Sequence, residues 1–203
     1  MSKKEMPDCL RKFFTQLYPD LDLNLVDFYE GIPWPFSIGK QGAITLGSWT
    51  SRKINIHFAG GRWNPFECGG IKLIGHELYH AQDIFSMWSG FGWGLFRPWY
   101  LAYLYCGIWS GFSFREKHML ERPAYEYERK IDAGCHELSS NTGEGPCIDD
   151  KPDTETNEQF ISDFIDKYPD LIIRRKNSSL IETIIQSTAE GIRNLLNLTR
   201  KIT

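Results

Sequence analysis

Two histidines four residues apart, His76 and His80, flank Glu77-Leu78-Tyr79 in the run HELYH. On a helix that spacing puts both imidazoles on one face, one turn apart, where they can share a tetrahedral metal ion. Glu77 lies beside the first histidine and slightly round the helix. From there it can reach a metal-activated water without taking a coordination position, which is the placement a general base needs. Neutral imidazole nitrogen suits zinc, and zinc lowers the pKa of a bound water toward neutrality. The chemistry implied is metal-assisted hydrolysis, with a peptide bond as the expected substrate. The neighbours strengthen a motif of only three fixed residues. Gly75 leaves room beside His76, Leu78 falls on the core side, and strand-like segments precede the helix.

A catalytic zinc needs a third protein ligand. The metzincin pattern would require glycine and histidine where this chain has Asp83 and Ser86, so that class is excluded. The segment from His118 to Glu128 offers Glu121, with Glu126 and Glu128 as fallbacks. HELYH followed by Glu121-Arg122-Pro123-Ala124 resembles the gluzincin group of zinc metallopeptidases. In that group a later helix supplies a glutamate ligand, and a small alanine lets it approach the first helix. More narrowly, the run from Asp27 to Tyr125 is similar to minimal metallopeptidase domains of bacteria. The matching segments are FYEGIPWP, GAITLG, INIHF, LIGHELYHAQD and LERPAYEYE, and they cover about half of the chain. The resemblance implies His76, His80 and Glu121 as ligands of one zinc ion, Glu77 as the base, and a peptide or protein as substrate. Pro123 is accommodated if its helix begins near Arg122, because proline suits a first turn.

A hydrolase also needs a donor for the developing oxyanion. Tyr125, Tyr127 and His118 are the leading candidates, and Tyr100, Tyr103 and Tyr105 are others. His57 and His136 have no partner motif and read as structural. Asp83 and Asp132 are candidates to orient the ligating imidazoles through their second nitrogen.

These residues need elements to hold them. Leu10, Phe13, Phe14 and Leu17 predict a short helix over 6–18, ended by Pro19. LNLVDFYEG, AITLG and KINIHF read as strands of a small, mostly antiparallel sheet, with the Lys53–Phe58 strand as the edge that would hold an extended peptide. Gly69–Phe85 reads as the first long helix, with Ile71, Ile74, Leu78 and Ala81 on its core face. Residues 84–114 carry no charge except Arg97 and hold Trp88, Trp93, Trp99 and Trp109. Their longest uncharged run falls short of a bilayer span and is interrupted by glycine. A buried helical hairpin walling the cleft is expected, with interfacial membrane contact as the alternative. A charged helix follows over 115–133, and two more are expected at about 155–167 and 178–201. The fold class is therefore α+β: a small sheet packed on a helical, zincin-like half. A metallopeptidase domain over 1–138 is followed by an exposed loop over 139–155 and a helical extension over 156–203 that packs on it.

The 203-residue length suits such a domain. A net charge of −3 with no long basic run argues against nucleic acid as a partner. The five cysteines form no CxxC pair and are expected to be mostly reduced thiols, with Cys135 and Cys147 near enough in sequence to close a small loop. The N-terminal residues lack the apolar stretch of a secretory leader, so a cytoplasmic location, or export without a conventional signal peptide, is expected. The Asn177 and Asn197 sequons are then chance matches. The competing reading is a non-catalytic zinc-binding interaction or toxin-associated module. Glu77 argues against it, since a purely structural site has no use for that carboxylate.

Overall fold

The computed structural model describes residues 1–34, 36–38, 42–48, 51–91, 103, 118, 120–139, 147 and 155–173. Leu10, Phe13, Phe14 and Leu17 are all fully buried on one side of α1 (Asp8–Leu17), as their spacing predicts. Four strands form one sheet: β1 (Ser2–Lys4), β2 (Val26–Glu30), β3 (Ala43–Gly47) and β4 (Ile54–Phe58), in the order β1–β2–β4–β3. Two pairings are antiparallel, β1 with β2 and β3 with β4. The central pairing of β2 with β4 is parallel. β4 is thus an interior strand rather than the expected edge, and the edge beside the helices is β3. The apolar content of β4 explains this: Ile54, Ile56 and Phe58 are fully buried and His57 nearly so, which suits a strand covered on both faces. His57 stacks on Tyr29 at 5.0 Å and its Nδ1 lies 3.2 Å from the Gly31 carbonyl, the structural role expected of it.

The long helix α2 (Cys68–Phe91) packs against β3 and β4 on one side and against α3 (Glu121–Leu138) on the other. Its predicted core positions Ile71, Ile74, Leu78 and Ala81 are all fully buried. The first turn of the helix carries Gly70 for a steric reason. A Cβ on Gly70 would lie 1.7 Å from the Asn64 carbonyl oxygen, so the preceding loop crosses the first turn at main-chain distance. Further along, a Cβ on Gly75 would lie 2.4 Å from the Ile131 side chain of α3. Gly75 and the buried Ala124 thus let α2 and α3 approach closely. α4 (Glu155–Lys167) occupies the predicted 155–167 span and packs on α1 and α3. α3 starts at Glu121 rather than at 115. The expected 178–201 helix and most of the 84–114 hairpin lie outside the described residues, and residues 84–91 continue α2. Among the described residues no helix is long and apolar enough to cross a membrane.

The cysteine expectation is corrected by two buried disulfides, Cys9–Cys147 and Cys68–Cys135. Cys135 therefore pairs with Cys68 across two helices and not with Cys147. Sequence distance misled here because the antiparallel packing of α2 and α3 brings the start of one to the end of the other. Each bridge closes a long loop, spanning 138 and 67 residues. Non-reducing peptide mapping is expected to recover both linked pairs. Opening the second with Cys68→Ala should lower the melting temperature by roughly 5–15 °C, from about 2–4 kcal/mol for a disulfide in a chain of this size. Free thiols at all four positions, or an unchanged melting temperature, would contradict the pairing.

Candidate metal centre

The α2–α3 contact is a stripe of cross-helix pairs. Cys68, Cys135, Lys72 and Asp132 begin it: the cysteines are joined, and Lys72 Nζ lies 3.0 Å from Asp132 Oδ2. One turn on, His76 Nδ1 lies 3.1 Å from Glu128 Oε2. One turn further, His80 Nε2 lies 3.4 Å from Glu121 Oε1. Positions 68, 72, 76 and 80 share one face of α2 because four residues make about one turn. The candidate centre is the far end of this stripe.

There His76 Nε2 also lies 3.2 Å from Glu121 Oε2. His76, His80 and Glu121 are all buried, and each brings one ligand atom to within 4.8 Å of the others. This group could hold a metal ion. Two imidazole nitrogens and a carboxylate oxygen, converging away from solvent, form a donor set that fits a divalent cation. Glu121 is the first residue of α3, and Pro123 is the third. The proline costs no hydrogen bond there, since the first turn's N–H groups have no partner within the helix. The His118 carbonyl accepts from the Glu121 and Arg122 N–H groups instead, at 3.1 and 2.9 Å.

Helical periodicity sorts the remaining α3 residues. Glu128 is two turns after Glu121 and shares its face, so it meets His76 from the other side of the ring. Its carboxylate stands where it could orient the His76 imidazole, the role expected of Asp83 or Asp132. Asp132 is instead held by Lys72, with His136 Nε2 3.6 Å from its other oxygen, and Asp83 is buried on α2. Glu126 points the opposite way and is exposed. Tyr125, one turn after Glu121, sets its ring 4.7 Å from the His76 ring. Tyr127 turns into the core between Tyr18 and Tyr79, with ring centroids 5.6 Å from each. His118 is fully buried and braces the loop: its Nδ1 accepts from the Leu120 N–H at 3.2 Å, so its Nε2–H donates to the Tyr103 carbonyl at 2.8 Å. Of the three leading oxyanion candidates, only Tyr125 is placed beside the ligands. Tyr103 joins it, donating its hydroxyl to Glu121 Oε1 at 2.6 Å.

Glu77 is buried on the same turn as His76, and β3 provides its partner. Thr45 Oγ1 donates to Glu77 Oε2 at 2.6 Å and lies 3.0 Å from the Glu77 main-chain oxygen. Burial pushes the Glu77 carboxyl above its ordinary range, against the pull of His76, His80 and Thr45. Burial opposes charge on His76 too, but the hydrogen bonds to Glu121 and Glu128 outweigh it and raise the imidazole to about 10. Burial would likewise raise Glu121, yet His80 and His76 hold it well below the carboxylate range. A raised Tyr103 keeps its proton, first because it is buried and then because Glu121 is near.

Glu128→Ala is expected to weaken metal binding about 10–100-fold, the usual cost of losing a carboxylate that orients a ligand. Competition against a chromophoric chelator would measure it, and unchanged affinity would show that Glu128 does not support His76. Compared with known proteins, the chain matches no family model, no curated protein and no solved structure.

Proposed function

We propose that this chain is a zinc-dependent metallopeptidase, with His76, His80 and Glu121 as the metal ligands and Glu77 as the general base. The observation that carries this reading is the buried convergence of those three ligand atoms within 4.8 Å, on the helix turn that also holds a buried glutamate. The nitrogen-rich donor set favours zinc over magnesium or calcium, which prefer all-oxygen shells. The resemblance of HELYH and Glu121-x-x-Ala124 to the gluzincin pattern supports the same assignment. When bound, zinc would act as a Lewis acid that polarises the scissile carbonyl and acidifies water.

The chain's own groups account for the proton movements. Glu77 takes a proton from the attacking water as oxygen bonds to the carbonyl carbon. It then returns that proton to the amide nitrogen as the C–N bond breaks, so the products are a carboxylic acid and an amine, which exchange the remaining proton with solvent. A carboxyl group raised by burial is a stronger base than an exposed one, which suits this task. Among the described residues Tyr125, with its ring beside His76, is the candidate to stabilise the oxyanion, while Tyr103 gives its hydroxyl proton to Glu121.

The edge strand β3 supports a peptide as substrate. Ala59 N–H donates to the Gly42 carbonyl at 2.9 Å and Ser48 N–H to the Lys53 carbonyl at 2.8 Å. Hydrogen-bonded pairs alternate along an antiparallel ladder, so Ala43, Thr45 and Gly47 turn their N–H and C=O groups away from β4. Among the described residues no strand pairs with that edge. An extended peptide added there would lie alongside α2. The two disulfides favour an oxidising compartment.

The test is digestion of a proteome-derived peptide library by the zinc-loaded protein, read by mass spectrometry with a chelated control. Chelator-sensitive cleavage is expected. Bound metal without cleavage would favour the non-catalytic zinc-binding module.

A further inference from the structure

We infer that Thr45 is a positioning residue for Glu77, fixing one oxygen of its carboxylate from the edge strand on the helix turn that carries His76. This deepens the hydrolase reading and rests on it for its catalytic consequence. The geometry itself stands without it. Thr45 is 4 % exposed and Glu77 5 %, so neither group has water to replace a lost partner. The hydroxyl lies 2.6 Å from Oε2, at the short end of the O–H···O range. The hydroxyl carries one proton and meets two acceptors on the same residue, the carboxylate and the main-chain carbonyl 3.0 Å away. It therefore tethers the Glu77 side chain to the helix turn that presents it.

Two substitutions test this in the full-length protein. Thr45→Val keeps the shape and removes the donor; Thr45→Ser keeps the donor and removes a methyl. With zinc loaded, Thr45→Val should lower kcat about 10–100-fold, the scale of a small misplacement of a catalytic group, with KM changed less than about twofold. Thr45→Ser should recover most of the loss. A second readout needs no activity: the glutamate side-chain carboxylate 13C resonance that Glu77→Gln removes. That line should move in Thr45→Val and return in Thr45→Ser. A line that does not move, or serine and valine variants equally displaced, would overturn the assignment. If wild type cleaves nothing, the hydrolase reading fails, and the carboxylate line still decides whether Thr45 holds Glu77.

Discussion

Glu77→Gln is expected to lower kcat for peptide cleavage about 10²–10⁴-fold, the contribution of a positioned general base, while the chain keeps its metal. Glutamine preserves the shape of the side chain but cannot accept the water's proton. The substitution also removes a buried carboxyl group whose charge burial disfavours, and the amide oxygen can still accept from Thr45, so the fold should not suffer. Loss of rate with full metal content therefore separates base from ligand. Steady-state kinetics on one cleaved peptide, with metal analysis of the same samples, would check it. A fully active Glu77→Gln enzyme would place the base elsewhere.

Glu121→Ala should have the larger effect on metal. It removes one of three ligands, and it leaves His76 and His80 facing a cavity where both had a carboxylate within 3.4 Å. Its affinity should fall below that of Glu128→Ala, which loses only the group behind a ligand. Metal binding to the wild-type chain should also release a proton at neutral pH. In the metal-free protein His76 is raised to about 10 by Glu121 and Glu128 after burial is overcome, so at pH 7 it holds a proton that the ion must displace. Binding should thus weaken as pH falls. Titration calorimetry in buffers of different ionisation enthalpy would show it. Equal affinity of Glu121→Ala and wild type would remove Glu121 from the site.

The parts of this structure that sequence made legible are those governed by local periodicity. The buried stripe Ile71, Ile74, Leu78 and Ala81 placed α2, and the same pattern placed α1. Helical spacing carries one further signal. Glu128 is seven residues after Glu121, hence on the same face, and that alone marks it as the carboxylate behind His76. What stayed hidden depends on contacts between distant segments. β1 is three residues long and carries two lysines, so nothing apolar announces it. The parallel pairing of β2 with β4 puts β3 at the edge, and a strand's own composition does not state its neighbours. Thr45 reaches Glu77 across 32 residues of sequence, and Tyr103 reaches Glu121 from the aromatic segment. The disulfides were missed for the same reason, since Cys68 and Cys135 meet only once α2 and α3 pack.

The central proposal is that one zinc ion sits on His76, His80 and Glu121. Its most direct test is elemental analysis of the untagged, full-length protein, purified without added metal and again after reconstitution. One zinc per chain in wild type and in Glu77→Gln, and none in Glu121→Ala, is the predicted result. Absence of zinc from the wild-type protein even after reconstitution would contradict it, and would leave the buried histidine–glutamate cluster as a structural ion-pair network.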